Sequence, residues 1–201
     1  MNNSRLHLQY NAPVVLTFAL LSLVVLFIGV FTGGASTGLL FCVYRCSLRD
    51  ALAYPRFLLH VLGHSGYAHY INNMLLLLIV GPAMEEKYGS RRLLLFFVIT
   101  ALATGIVQFI FFPGSALMGA SGIVFMLIML SSLAGAEDGA IPVTLILVAV
   151  LYLGGEILDG IRQADQVSQL THIVGGVLGI VFGFACRTGR TTKRSKERKK
   201  K

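Results

Sequence analysis

Charge is what this sequence has least of. Only 13% of its 201 residues are charged, 55% are hydrophobic, and the mean hydropathy is +0.76. That balance excludes a soluble domain with a solvated surface. Cysteine is also scarce: Cys42 and Cys46 stand four apart, but no second cysteine or histidine pair completes a metal site with them, and Cys186 is alone. No HExxH string occurs, and no nucleic-acid-binding motif or stacking platform accompanies the net charge of +8, so a nucleic-acid partner is not indicated. No linker or repeat is long enough to set off a second domain.

What is present is a series of apolar runs. Crossing about 30 Å of hydrocarbon takes roughly 17 to 20 apolar residues in a helix. Windows of that kind lie near 14–31, 67–84, 92–111, 141–158 and 169–186, with a shorter one at 120–134. The fold predicted is an all-α polytopic membrane protein, a six-transmembrane-helix bundle occupying residues 1–186, followed by a basic tail over 187–201. Arg5 before the first window and Gly33, Gly34 and Ala35 after it resemble signal-peptide flanks, but the apolar run is too long for one, and it is read as a retained helix. Basic residues favour the cytoplasmic side in short loops. Placing both termini there puts Arg5, Lys87, Arg91, Arg92 and the tail's Lys and Arg residues inside, against Arg45, Arg49, Arg56 and Arg162 outside. The tail is expected to be irregular chain lying against anionic lipid. The segment 32–66 interleaves apolar residues with Arg45, Arg49 and Asp50 and reads as interfacial structure.

Four polar residues fall at one end of these windows. His69 and Asn73 lie in the first turns of the second, Ser121 in the first turn of the fourth, and His172 in the first turn of the sixth. Alternate helices run in the same direction, so the four share a depth. Ionisable groups inside a membrane are costly and mark function by default. A serine hydroxyl becomes a nucleophile when a neighbouring base takes its proton, and His172 is the candidate base. Gly119 and Gly122 flank Ala120 and Ser121, leaving backbone N–H groups free to face an oxyanion at the positive end of the fourth helix. His69 and Asn73 offer side-chain donors to the same charge. Gly175, Gly179 and Gly183 follow His172 as a small-residue stripe that lets helices approach closely. Asp159 and Asp165 are the acids nearest His172 in sequence, and both sit in a loop, so the chemistry read here is a Ser/His dyad without a carboxylate.

The string Arg56-Phe57-Leu58-Leu59-His60-Val61-Leu62-Gly63-His64, then His69 and Asn73, then Gly119-Ala120-Ser121-Gly122, then His172 with Gly175 and Gly179, resembles the rhomboid family of intramembrane serine proteases over roughly residues 54 to 186. The resemblance implies Ser121 as nucleophile, His172 as base, and His69 and Asn73 as oxyanion donors. It also implies that Glu85 ties helix ends to the supports of the outer loop. Pro55-Arg56 stands where many members have Trp-Arg, with Arg56 read as a loop anchor. Phe125 stands where a tyrosine is common, able to stack on His172 but without the hydroxyl. His60 and His64 read as structural hydrogen-bond partners near the cavity.

The function expected is an intramembrane serine endopeptidase that cuts a single-pass transmembrane substrate in or near the outer end of its helix, with no metal or cofactor. Six helices and no organelle-targeting presequence suggest a bacterial plasma membrane. Two other classes use the same residues. A non-catalytic rhomboid-like protein would bind membrane helices on this fold, and a transporter would use His60, His64, His69 and His172 as metal ligands.

Overall fold

A helix occurs in each of the six apolar windows. The computed structural model describes residues 9–134, 140–153 and 166–198; Asp159, Arg162, Asp165 and the end of the 141–158 window lie outside the described residues. The chain runs through α1 (Pro13–Phe31), α2 (Ala35–Leu40), β1 (Val43–Tyr44), α3 (Ala53–Leu59), a 3₁₀ turn (His60–Leu62), α4 (Tyr67–Tyr88), α5 (Ser90–Phe111), β2 (Ala116–Leu117), α6 (Ser121–Ser132), α7 (Val143–Val148, continuing as a π turn over Ala149–Leu153) and α8 (Gln166–Arg198). Among the described residues, Pro13–Phe31, Ser90–Phe111 and Gln169–Cys186 are long and apolar enough to cross a membrane.

α6 is the hub. It packs against α4, α5, α7 and most extensively α8, and its Ile123, Val124, Met126, Leu127, Met129 and Leu130 are all buried. A helix apolar on every side is stable only when surrounded. The helices around it turn Leu20, Phe27, Leu75, Ile79, Leu94 and Ile106 outward, as lipid-facing surfaces do. At 12 residues, α6 is about 18 Å long. That is shorter than the 120–134 window, because Ala120 is the N-cap and Leu133 and Ala134 form a closing turn.

The interfacial segment resolves into α2, β1, α3 and the 3₁₀ turn. β1 pairs antiparallel with β2 in the register Val43↔Leu117 and Tyr44↔Ala116, which fixes the chain just before Ser121. Arg56, 3% exposed, anchors this segment. It donates to the Leu39 carbonyl at 2.8 Å and to Asp50 Oδ2 at 2.9 Å, reaches Cys46 Sγ at 3.6 Å, and lies over the Tyr44 ring. The Leu52 N–H, and then Arg56, hold the Asp50 carboxyl below the usual carboxylate range.

Two expectations need correction. α8 continues through the basic segment to Arg198, so the backbone there is helical and not irregular. Arg and Lys are good helix formers, and extending an existing helix avoids the cost of nucleation. Glu85 ties helix ends, as expected, but at the start of α1 and not toward the outer loop's supports. It accepts from the Val14 and Val15 N–H groups at 3.0 Å each, at the start of α1. The reason is local: Ala12 provides no side-chain cap, Pro13 has no N–H, and Leu16 N–H already reaches the Ala12 carbonyl at 2.9 Å. Val14 and Val15 are therefore the donors left over at the helix start, and a carboxylate there also meets the positive end of the dipole. Glu85→Gln replaces one acceptor oxygen by an NH₂ facing a buried N–H. A loss of about 2–3 kcal/mol is expected in reversible unfolding in detergent micelles; unchanged stability would refute the cap.

Candidate active site

Ser121 is the first residue of α6, and the chain enters it through a turn that only glycine fits. Gly119 has φ +125°, in the region that L side chains avoid. A Cβ there would come within 2.8 Å of His69 Cε1 and Nε2. The Gly119 N–H donates to the His60 carbonyl at 2.9 Å, while His60 Nε2 meets the Ala101 carbonyl at 3.0 Å. His60 thus ties α5 to the loop that aims Ser121.

Burial along α6 shows which face is open. From 121 to 130 every residue is buried except Ser121 and Phe125, which are four apart and so share a face. The Phe125 ring stacks on His172 with centroids 4.3 Å apart and planes 6° from parallel, and Ser121 is one turn back along the face that carries this stack. His172 is within electrostatic reach of His69. Close approach of α8 to α6 is set by glycine on both sides: Cβ atoms at Gly175 and Gly179 would overlap the Gly122 and Met126 carbonyls, while Gly122 faces Thr104 and Thr171.

His69 is held in one orientation. Its Nδ1 lies 3.1 Å from Ser65 Oγ and 3.5 Å from Ser65 N. A backbone N–H can only donate, so Nδ1 is the acceptor and the neutral ring carries its proton on Nε2, the atom facing Gly119. The Asn73 amide donates to the His69 carbonyl at 3.1 Å and lies 3.8 Å from the Cβ position of Gly119; its second N–H is available to the same space. His64 bonds the Leu62 carbonyl at 3.1 Å and packs edge-on against His69 and Tyr70.

The predicted residues thus gather around the first turns of α6, with four exceptions, of which Gly179 meets the helix further on, at Met126 and Met129. Glu85 and Arg56 are structural supports elsewhere, and His64 meets the site only through His69. Ser65 escaped the sequence reading, although a serine four residues before a histidine at a helix start is a legible pattern for such a bond. Among the described residues no three His, Cys, Asp or Glu side chains converge as a metal cage.

A family model described as the Rhomboid domain matches residues 52–189. RHOMBOID-like protein 4 of Arabidopsis thaliana is 33% identical over 128 residues, covering 60% of this chain and 31% of that protein. Rhomboid-related protein 1 of Caenorhabditis elegans is 30% identical over 139 residues, covering 64% of this chain and 39% of that protein. Rhomboid protease GlpG of Salmonella paratyphi A is 27% identical over 183 residues, covering 88% of this chain and 64% of that protein. The chain spans well under half the length of the first two relatives. The matched stretch takes in Arg56, the Gly119–Gly122 turn and the glycine-faced contact of α6 with α8, and the chain belongs to the rhomboid family.

Proposed function

We propose that this protein is an intramembrane serine endopeptidase, with Ser121 as nucleophile and His172 as general base. The observation that carries the reading is the Phe125–His172 stack, one turn from Ser121 on the half-buried face that these two residues share at the start of a largely buried helix. Membership of a family whose relatives include a protein named as a protease supports it. Ser121 Oγ attacks the scissile carbonyl while His172 takes its proton. The oxyanion is met by the N–H groups at the start of α6, by His69 Nε2–H and by the spare Asn73 N–H. His172 then protonates the leaving amine, and water releases the acyl group from Ser121.

In this proposal both termini face the cytoplasm, the protein sits in a bacterial plasma membrane, and the basic residues after Cys186 lie against anionic lipid. Substrates are single-pass membrane proteins cut near the outer end of the span. A helix must unwind to offer its peptide bond, so Gly, Pro or polar residues are expected there, with a small residue before the cut. The test is cleavage of a transmembrane substrate by the purified protein in detergent, with products located by mass spectrometry. His172→Phe keeps a ring against Phe125 but no base, and is expected to be inactive; chelator is expected to have no effect. Cleavage by His172→Phe would sink the dyad, and inhibition by chelator would favour a metal reading.

Ser65→Ala removes the hydroxyl that meets His69 Nδ1 but leaves the Ser65 N–H. The expected result is a fall of about tenfold in kcat with KM unchanged, milder than the 10²–10³ that follows loss of an oxyanion donor itself. An unaltered kcat would mean that Ser65 does not position His69.

A further inference from the structure

A crevice of about 500 Å³ lies between α1 and α5, with Ile123 of α6 also in its lining. One wall is α1 over residues 13–21, the other is α5 over 94–101, and the apolar residues flanking His60 roof it. Thr17 is the sole lining residue with a polar side chain, and its hydroxyl bonds Tyr10 at 2.9 Å. Nothing in the lining offers a polar ligand a partner. Both walls belong to helices long and apolar enough to span a membrane, so the occupant comes from the hydrocarbon.

Size and depth narrow it further. A helix is 10–12 Å across with its side chains, so roughly one turn of it would fill this volume; a substrate or partner helix does not fit. Eight residue steps from Pro13 to Leu21 cover about 12 Å, close to the depth of one leaflet in a hydrocarbon core of about 30 Å. A single acyl chain matches both.

The charge at the mouth identifies the lipid class. Arg91, Leu94, Val98 and Ala101 follow one another at helical spacing, so they form one stripe, and the last three line the crevice. Arg91 continues the stripe one turn past Leu94 and is exposed. It lies at the start of α5, where Gly89 is the N-cap and no side chain caps the helix, an end that favours anions. The Glu85 bonds to Val14 and Val15 put the start of α1 at this same end.

We propose that the crevice binds one acyl chain of an anionic phospholipid from the leaflet at the N-terminal end of α1, with the phosphate on Arg91 and the first turn of α5. The chain end then lies under the 3₁₀ turn whose His60 carbonyl holds the Gly119 N–H. This inference stands whether or not the protein is a protease.

The test is native mass spectrometry of the full-length protein, delipidated in detergent and titrated with phosphatidylglycerol or phosphatidylcholine. The expected result is one retained lipid, with phosphatidylglycerol preferred about fivefold, the value of one arginine near an anionic headgroup. Val98→Phe fills the crevice and should abolish retention. Arg91→Gln, at an exposed position that folding tolerates, should keep retention but lose the preference. Equal retention by the native protein and Val98→Phe, or an unchanged preference in Arg91→Gln, would overturn the proposal. So would a native dimer that Val98→Phe converts to a monomer, since a second copy would then be the occupant. If Val98→Phe does not fold, Leu21→Phe fills the same space from the opposite wall.

Discussion

Ser121→Ala is expected to lower cleavage of a transmembrane substrate by 10⁴-fold or more, on the order of what nucleophile removal costs in a serine protease, and to leave the fold intact. The magnitude follows from how the parts depend on one another. Without Oγ, His172 has no proton to take and the oxyanion donors have no tetrahedral intermediate to hold, so only their effect on a direct attack by water survives. For the same reason the double variant Ser121→Ala/His172→Ala is expected to be no worse than either single variant. Stability should change little, within about 0.5 kcal/mol, because Ser121 is half-buried on the open face of α6. The variant also separates the two readings of a rhomboid fold. If the protein only binds membrane helices, Ser121→Ala and the native protein will bind a labelled substrate helix equally and neither will cut it. If the native protein cuts and Ser121→Ala cuts comparably, Ser121 is not the nucleophile.

The membrane helices were legible because each depends mainly on an apolar run of sufficient length, a local property. The 14–31 and 92–111 windows coincide with α1 and α5 to within two residues. The candidate site stood out for a different reason. Ser121, His69 and His172 are residue types that hydrocarbon penalises, so their presence at one depth needs a reason. Long-range partnerships were not legible. Glu85 is some seventy residues from the amides it caps, and nothing in its neighbourhood announces that α1 lacks a cap of its own. The ligands of Arg56 are a carbonyl, a carboxylate and a thiol spread from Leu39 to Asp50, in a segment whose mixed apolar and charged residues keep no period. Sequence identifies Arg56 as an anchor; what it holds depends on the path of the intervening chain.

The glycine stripe of α8 shows how far a motif can mislead when it is read as uniform. Gly175, Gly179 and Gly183 share one spacing, but their surroundings differ. At Gly175 and Gly179 an added Cβ would overlap backbone carbonyls, those of Gly122 and Met126. Backbone in a buried helix cannot move aside, so α8 itself must shift. At Gly183 the neighbours are all Leu133 side-chain atoms, with Cδ1 by far the nearest and Cβ at 3.1 Å, and Cδ1 can turn aside by a change of rotamer. Gly175→Ala is therefore expected to destabilise the protein by about 3 kcal/mol, the upper end of overpacking costs. It should also abolish cleavage, because moving α8 off Gly122 separates His172 from the serine next to that glycine. Gly183→Ala should be close to neutral, since the small packing cost is offset by up to ~1 kcal/mol gained when alanine replaces glycine inside a helix. Reversible unfolding of both variants in one detergent, with cleavage assayed alongside, decides the matter. Equal losses at 175 and 183 would mean that the stripe acts through helix propensity or flexibility. A large loss at 175 alone would mean that the distance between two backbones, set by the absence of a single methyl group, is what holds His172 to Ser121.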